Sequence, residues 1–125
     1  LRRPHPPIMI GGAGEKKTLR LVARYADATN LFARPDFGPE RVQAKLDVLA
    51  EHCAREQTDF DRIRKTILWA APLTTDAAGA KTFADQLAGY ARVGITEVHV
   101  MPMAGDPVGF IEDLGEHVIP RLEHL

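Results

Sequence analysis

The sequence predicts an α/β fold built as half of a (β/α)8 TIM barrel, four parallel βα units in succession. Two observations carry this reading. The hydrophobic pattern switches from strand-like to helix-like four times along the chain, and such alternation calls for parallel strands joined by right-handed helical crossovers. The 125 residues are also half of the roughly 250 that a complete barrel takes. An open, doubly wound sheet shares the alternation and is the other architecture it allows. No internal repeat or low-complexity linker interrupts the pattern, so residues 1–125 are read as one domain-sized piece.

The first unit opens with an apolar strand over 7–11, followed by a helix over 15–26 that sets Leu19, Val22, Ala23 and Ala26 on one face. A second strand over 28–32 leads to Gly38-Pro39-Glu40. There a permissive entry residue, a proline at the first helical position and an acid near the positive helix end mark a helix start. The apolar stripe of that long helix is Val42, Leu46, Leu49 and Cys53, and Glu51 and Arg55 are spaced for an i,i+4 pair on its wet side. Residues 66–72 read as the third strand, near-continuously apolar as expected of a strand covered on both faces, with Pro72 at its end where no ladder donor is needed. Thr75 or Asp76 caps a helix that buries Phe83, Leu87, Tyr90 and Ala91 and stops near Gly94. The fourth strand covers 97–101. Asp106-Pro107 then starts a helix carrying Phe110, Ile111, Leu114 and Val118, which Pro120 ends or kinks. On this reading Ile8, Ile10, Leu68 or its neighbours, and Val98 or Val100 line the inner face.

The formal net charge is −1, with acids and bases interleaved, which speaks against a nucleic-acid surface or a polybasic membrane patch. Apolar runs fall far short of a membrane span and no cationic leader precedes them, so a soluble, cytoplasmic protein is expected. The single cysteine, Cys53, forms no intrachain disulfide, in keeping with a reducing compartment. The chain begins at Leu1, not Met, and runs at once towards a strand, so it is expected to be a piece of something longer. Four strands leave two open sheet edges and an uncovered apolar face, which calls for the missing half-barrel or a second copy of the chain.

The segment Pro4-His5-Pro6-Pro7-Ile8-Met9-Ile10-Gly11-Gly12-Ala13-Gly14-Glu15-Lys16-Lys17-Thr18 is an apolar run that ends in closely spaced glycines before a helix. A helix start offers unpaired N–H groups and a positive dipole end, and glycines let a phosphate approach the backbone. The Walker pattern is absent, and the dinucleotide fingerprint counted from Gly12 would need glycine where Lys17 stands. Tight strand-to-helix turns also use glycine for positive φ without binding anything, so the turn alone leaves both readings open.

Together with Tyr25-Ala26-Asp27-Ala28-Thr29-Asn30 one helix later, and with Ala91-Arg92-x-Gly94-Ile95-Thr96-Glu97 downstream, this segment resembles the luciferase-like monooxygenase family of flavin- and deazaflavin-dependent oxidoreductases. The likeness runs over essentially the whole chain, as the C-terminal half of that family's barrel. It implies that Gly11, Gly12, Ala13 and Gly14 line the phosphate end of a cofactor, with Glu15 at the helix start, and that Asn30 approaches the ring system or its ribityl chain. Lys16 and Lys17 would add positive charge, or are solvated lysines of a first helical turn. The implied cofactor is the deazaflavin coenzyme F420, which the Ile-Gly-Gly-x-Gly form favours, or FMN. A small molecule would be the substrate. The groups that position the ring and orient substrate in this family lie largely on the other half, so the chain alone is expected to be inactive and its catalytic residues are not assigned. The competing reading is a non-catalytic half-barrel serving as an assembly or interaction module.

Other residues attract simpler readings. Five histidines are present, but none stands in i,i+4 ligand spacing supported by carboxylates, and His52 projects differently from its neighbour Cys53, so no metal site is expected. His5, between prolines, is a surface or interface residue. His99, central in the last strand, is a hydrogen-bonded packing residue or a pocket residue. His117 and His124 carry no assigned chemistry. Cys53 on the apolar stripe is a small buried hydrophobe, and Trp69 and Phe83 are core. The chain contains no serine, which excludes a Ser-His-Asp triad.

Overall fold

The computed structural model describes residues 5–102 and 105–125, so Pro4, at the head of the glycine segment, lies outside the described residues. The elements alternate as β1 (Met9–Gly11), α1 (Thr18–Tyr25), β2 (Ala28–Ala33), α2 (Pro39–Glu56), β3 (Arg64–Trp69), α3 (Ala77–Arg92), β4 (Glu97–His99) and α4 (Pro107–Asp113). The last helix continues through a π-helical turn, Leu114–Val118, into α5 (Ile119–Leu122). The strands lie in sequential order, β1-β2-β3-β4, and every pairing is parallel. This is half of a (β/α)8 barrel.

One face of the sheet is sealed by the helices. Leu31 and Ala33 of β2 and Ile67 and Trp69 of β3 are buried against Leu19 and Val22 of α1, Val42, Leu46 and Leu49 of α2, and Phe83, Leu87 and Tyr90 of α3. The side-chain period of two then sends Met9, Asn30, Phe32, Thr66, Leu68, Glu97 and His99 to the opposite, open face. Of the expected inner lining, Leu68 alone belongs there. Ile10, Val98 and Val100 pack against the helix-covered core instead, and Ile8 precedes β1. A shift of one residue exchanges the faces of a strand; β1 carries no polar alternation, and in β4 the polar set Glu97 and His99, not the apolar one, faces the barrel interior.

The boundaries differ for local reasons. The ladder of β1 begins at Met9 because Pro6 and Pro7 have no N–H to donate. β3 begins at Arg64 and closes at Trp69, before Pro72. Asp76 caps α3 by accepting the Gly79 N–H at 2.7 Å, while the Thr75 hydroxyl donates to Asp113 at 2.9 Å and ties α3 to the terminal helix. The buried stripe of α3 is Ala80, Phe83, Ala84, Leu87 and Tyr90, which leaves Ala91 exposed. Ile111 is likewise exposed. Pro120 neither ends the helix nor stands in a regular one. Its missing N–H and its clash with the preceding turn are accommodated by the widened π-helical segment just before it.

The β2–α2 connection is braced from α3. Tyr90 donates its hydroxyl to the Phe37 carbonyl at 2.9 Å, with the Arg34 carbonyl at 3.4 Å, across a tight bridge between Arg34 and Phe37. Its ring meets Trp69 edge-on at 6.4 Å, and Trp69 meets Phe83 at 5.1 Å, a geometry that suits the quadrupoles of the rings. Burial raises the Tyr90 pKa above the usual phenol value, opposed by the bond to Arg34.

Two outcomes follow from this packing. Ile67→Ala removes a fully buried side chain at the centre of the sheet and should lower unfolding free energy by about 2–5 kcal/mol in urea titrations. Tyr90→Phe keeps the ring but loses the donor, at a cost of about 0.5–1.5 kcal/mol. Because the folded-state pKa is raised, the tyrosine's contribution is fully present below the ordinary phenol pKa of about 10 and is lost as pH rises through the folded value. Urea melts at neutral and strongly alkaline pH should therefore show the wild type losing more stability with pH than Tyr90→Phe.

Candidate functional site

Parallel strands bring all their C-terminal ends to one rim, and ligand sites of parallel α/β folds gather there. On this rim the turn after β1 and the loop after β2 enclose a cleft of about 320 Å³ lined by Ala13, Phe32, Arg34, Phe37 and Ala70. Phe32 belongs to the open face of the sheet and is half exposed. Arg34 turns its guanidinium to Asp36 at 2.7 Å.

The glycine turn forms one wall. Gly12 has φ of +116°, a conformation that a β-carbon makes costly, and a β-carbon there would lie 3.2 Å from the Thr18 methyl. Its N–H is not free. It donates to the Asn30 carbonyl at 3.0 Å and extends the β1–β2 ladder by one bond, so Gly12 contributes the geometry of the turn and no free donor. The N–H groups of Ala13, Gly14, Glu15, Lys16 and Lys17 donate to no acceptor among the described residues. At Gly14 a β-carbon would lie 3.0 Å from the Thr18 hydroxyl, so a side chain there would press on Thr18.

The helix starts three residues later than its periodicity predicts, at Thr18. Neither Glu15 nor the lysines offer a good capping side chain, and Lys17 at the N-cap makes no side-chain bond. Instead the Leu19 N–H reaches back to the Gly14 carbonyl at 2.9 Å, a wide turn over 15–17. Glu15 therefore does not stand at the helix start. Its carboxylate pairs with Lys45 of α2 at 3.2 Å and its carbonyl meets His52 Nε2 at 2.5 Å, so it ties the turn to α2. Lys16 and Lys17 are exposed and make no ion pair among the described residues.

Asn30 lies one strand away, beside Gly11 in the β1–β2 register. Its Nδ2 donates to the Thr66 hydroxyl at 2.8 Å, and Thr66 in turn donates to the Thr29 carbonyl at 2.8 Å. Further along the open face, Arg64 Nε contacts Glu97 at 3.2 Å. Glu97 Oε1 lies 2.8 Å from His99 Nε2, too oblique for a hydrogen bond. His99 thus sits on the inner face at the end of β4, beside Leu68. Cys53 is buried and free, as its stripe predicts. Among the described residues no three His, Cys, Asp or Glu side chains gather as metal ligands, and no helix is long and apolar enough to cross a membrane.

Arg34, Phe37, His52, Thr66 and Tyr90 belong to this site or brace it and are not marked by any motif. His52 has a legible signal, standing three residues after buried Leu49 on α2. Thr66 has none, because its role depends on strand register.

No family model and no curated protein matches the chain. Its fold is shared with solved structures. One is the coenzyme F420-dependent tetrahydromethanopterin reductase from Methanopyrus kandleri, similar over 93% of this chain and 51% of its own, with TM-score 0.74 and 14% identity. Another is an F420-dependent secondary alcohol dehydrogenase solved with an F420–acetone adduct, with TM-score 0.73, 13% identity, and coverage of 93% of this chain and 48% of its own. The chain thus spans about half the length of these structures and has the fold of half of such F420-dependent enzymes.

Proposed function

We propose that this chain is the cofactor-binding, C-terminal half of a luciferase-like oxidoreductase, with the deazaflavin coenzyme F420 as cofactor and FMN as its alternative. The observation that carries the reading is the turn after β1. Gly12 at positive φ turns the chain so that five successive N–H groups, Ala13 to Lys17, are left without acceptors among the described residues on the rim of a parallel sheet. Such a row of donors suits a phosphate, and Lys16 and Lys17 lie beside it as unpaired cations among the described residues. The neighbouring cleft, walled by Phe32 and Phe37, offers an apolar bed for a planar ring. That the two similar structures are F420-dependent enzymes supports the choice of cofactor.

Hydride transfer is chemistry that a bound deazaflavin or flavin itself supplies. The chain's own share is placement. The turn would hold the phosphate end, Asn30 would meet the ring or ribityl chain, and Phe32 and Phe37 would exclude water from one side. The remaining wall of the pocket would come from a half-barrel that covers the open face, where Met9 and Phe32 are 40% and 54% exposed. A second copy of the chain is the other candidate for that cover, and the uncovered face also suits the competing reading as an assembly module. The substrate would be a small molecule entering from the rim.

Titration with F420 and with FMN, followed by fluorescence, tests the reading. Gly12→Val forces a β-branched residue into positive φ and crowds Thr18, and should weaken binding by about tenfold or more. Lys17→Ala should cost about twofold, the scale of one screened surface charge. Equal losses from both would point to long-range electrostatics in place of a backbone cradle. Sedimentation at low concentration should show the chain associating through its open face, and a compact, redox-active monomer of this length would overturn the need for a second half.

A further inference from the structure

The inner layers of a parallel barrel are ordinarily filled with branched apolar side chains. Here one layer, which runs in register from Gly11 through Asn30 and Thr66 to Glu97, holds three polar residues in a row. Thr66 is fully buried, and burying a hydroxyl is costly unless both its donor and its acceptor capacity find use. It has a single proton, which goes to the Thr29 carbonyl, a group that only accepts. Its oxygen can therefore only accept from Asn30. The side-chain amide of Asn30 must present its NH₂ to Thr66 at 2.8 Å, which settles an orientation that an isolated amide leaves ambiguous.

We infer that Thr66 is the positioning residue for Asn30, and that the relay from Asn30 through Thr66 to the Thr29 carbonyl presents Asn30 Oδ1 to the open face as a fixed hydrogen-bond acceptor. That oxygen accepts no hydrogen bond among the described residues and is not among the buried polar atoms. Asn30 is paired with Gly11 in the β1–β2 register, at the foot of the glycine turn. The group it selects must be a donor, an N–H or an O–H. A ligand offering only carbonyl or phosphate oxygen at this point would face lone pairs. This deepens the cofactor reading above and rests on it only for the identity of the donor, a ring N–H or a chain hydroxyl.

The relay can be tested on the chain without any ligand, by NMR of its side-chain amides. In the wild type one Asn30 Nδ2 proton should be protected from solvent exchange. Thr66→Ser, which keeps the hydroxyl, should preserve that protection, and Thr66→Val, nearly the same shape, should raise the exchange rate about five- to tenfold. A wild-type amide that exchanges freely would overturn the inference whether or not the variants fold, and so would a Thr66→Val spectrum with the protection intact. A second arm titrates F420 and FMN. Thr66→Val should weaken the bound cofactor by about five- to tenfold and Thr66→Ser by less than about twofold. Undiminished affinity in Thr66→Val alongside a freed amide would overturn the recognition role of Oδ1. If the wild type binds neither cofactor while its Asn30 amide is protected, the cofactor reading fails and the relay stands.

Discussion

Two parallel strands cannot be joined by a tight turn, because the chain must travel back the length of the first strand before it can start the second. This constraint organises the rest of the molecule. Each return is made by a helix, and α1, α2 and α3 all pack on the same side, where Leu31, Ile67 and Trp69 are buried. The consequences come together. Every strand ends on one rim, so the turn after β1, the loop after β2 and the segment after β3 become neighbours although they are distant in sequence. The opposite face of the sheet receives no helix and keeps Phe32 and Met9 in the open.

The same constraint explains why the rim needs so much bracing. Loops that leave a parallel sheet have few ladder bonds of their own, and here two of them are tied to the helical layer. His52 of α2 and Lys45 hold the glycine turn through Glu15. Tyr90 of α3 holds the β2–α2 connection through the Phe37 carbonyl. Both braces bind backbone or carboxylate atoms on the outer side of the turns. Among the described residues, the N–H groups of residues 13–17 are therefore not spent on the fold, and the ring of Phe32 lines the neighbouring cleft.

The glycine turn and the polar layer below it are one unit. The Gly12 N–H bonds the carbonyl of Asn30, whose side chain is held by Thr66, whose hydroxyl is held by Thr29. Backbone geometry on β1 is thereby coupled to side-chain orientation on β2 and β3 through three hydrogen bonds. A buried polar chain of this kind is stable only when each member is satisfied, and it accounts for the buried threonine at the centre of β3.

Much of the fold was legible from local chemistry. The order of the elements, the stripes of α1 and α2, the Pro39 and Pro107 helix starts and the Asp76 cap all follow from residues within a few positions of each other, where period and capping act. The glycine turn was legible for the same reason, since positive φ at Gly12 is a property of one residue and its neighbours. What tertiary structure decided was every property that needs two elements. Which face of β1 and β4 points inward depends on register between strands. The engagement of the Gly12 N–H depends on Asn30, the turn of Glu15 towards α2 depends on Lys45 and His52, and the role of Thr66 depends on two residues of a neighbouring strand. Sequence determines what each segment can form, because propensity and pattern act over a few residues. Only packing determines which atoms remain free for a ligand, because a hydrogen-bond donor has one proton, and whether it is already used is settled by a partner far away along the chain.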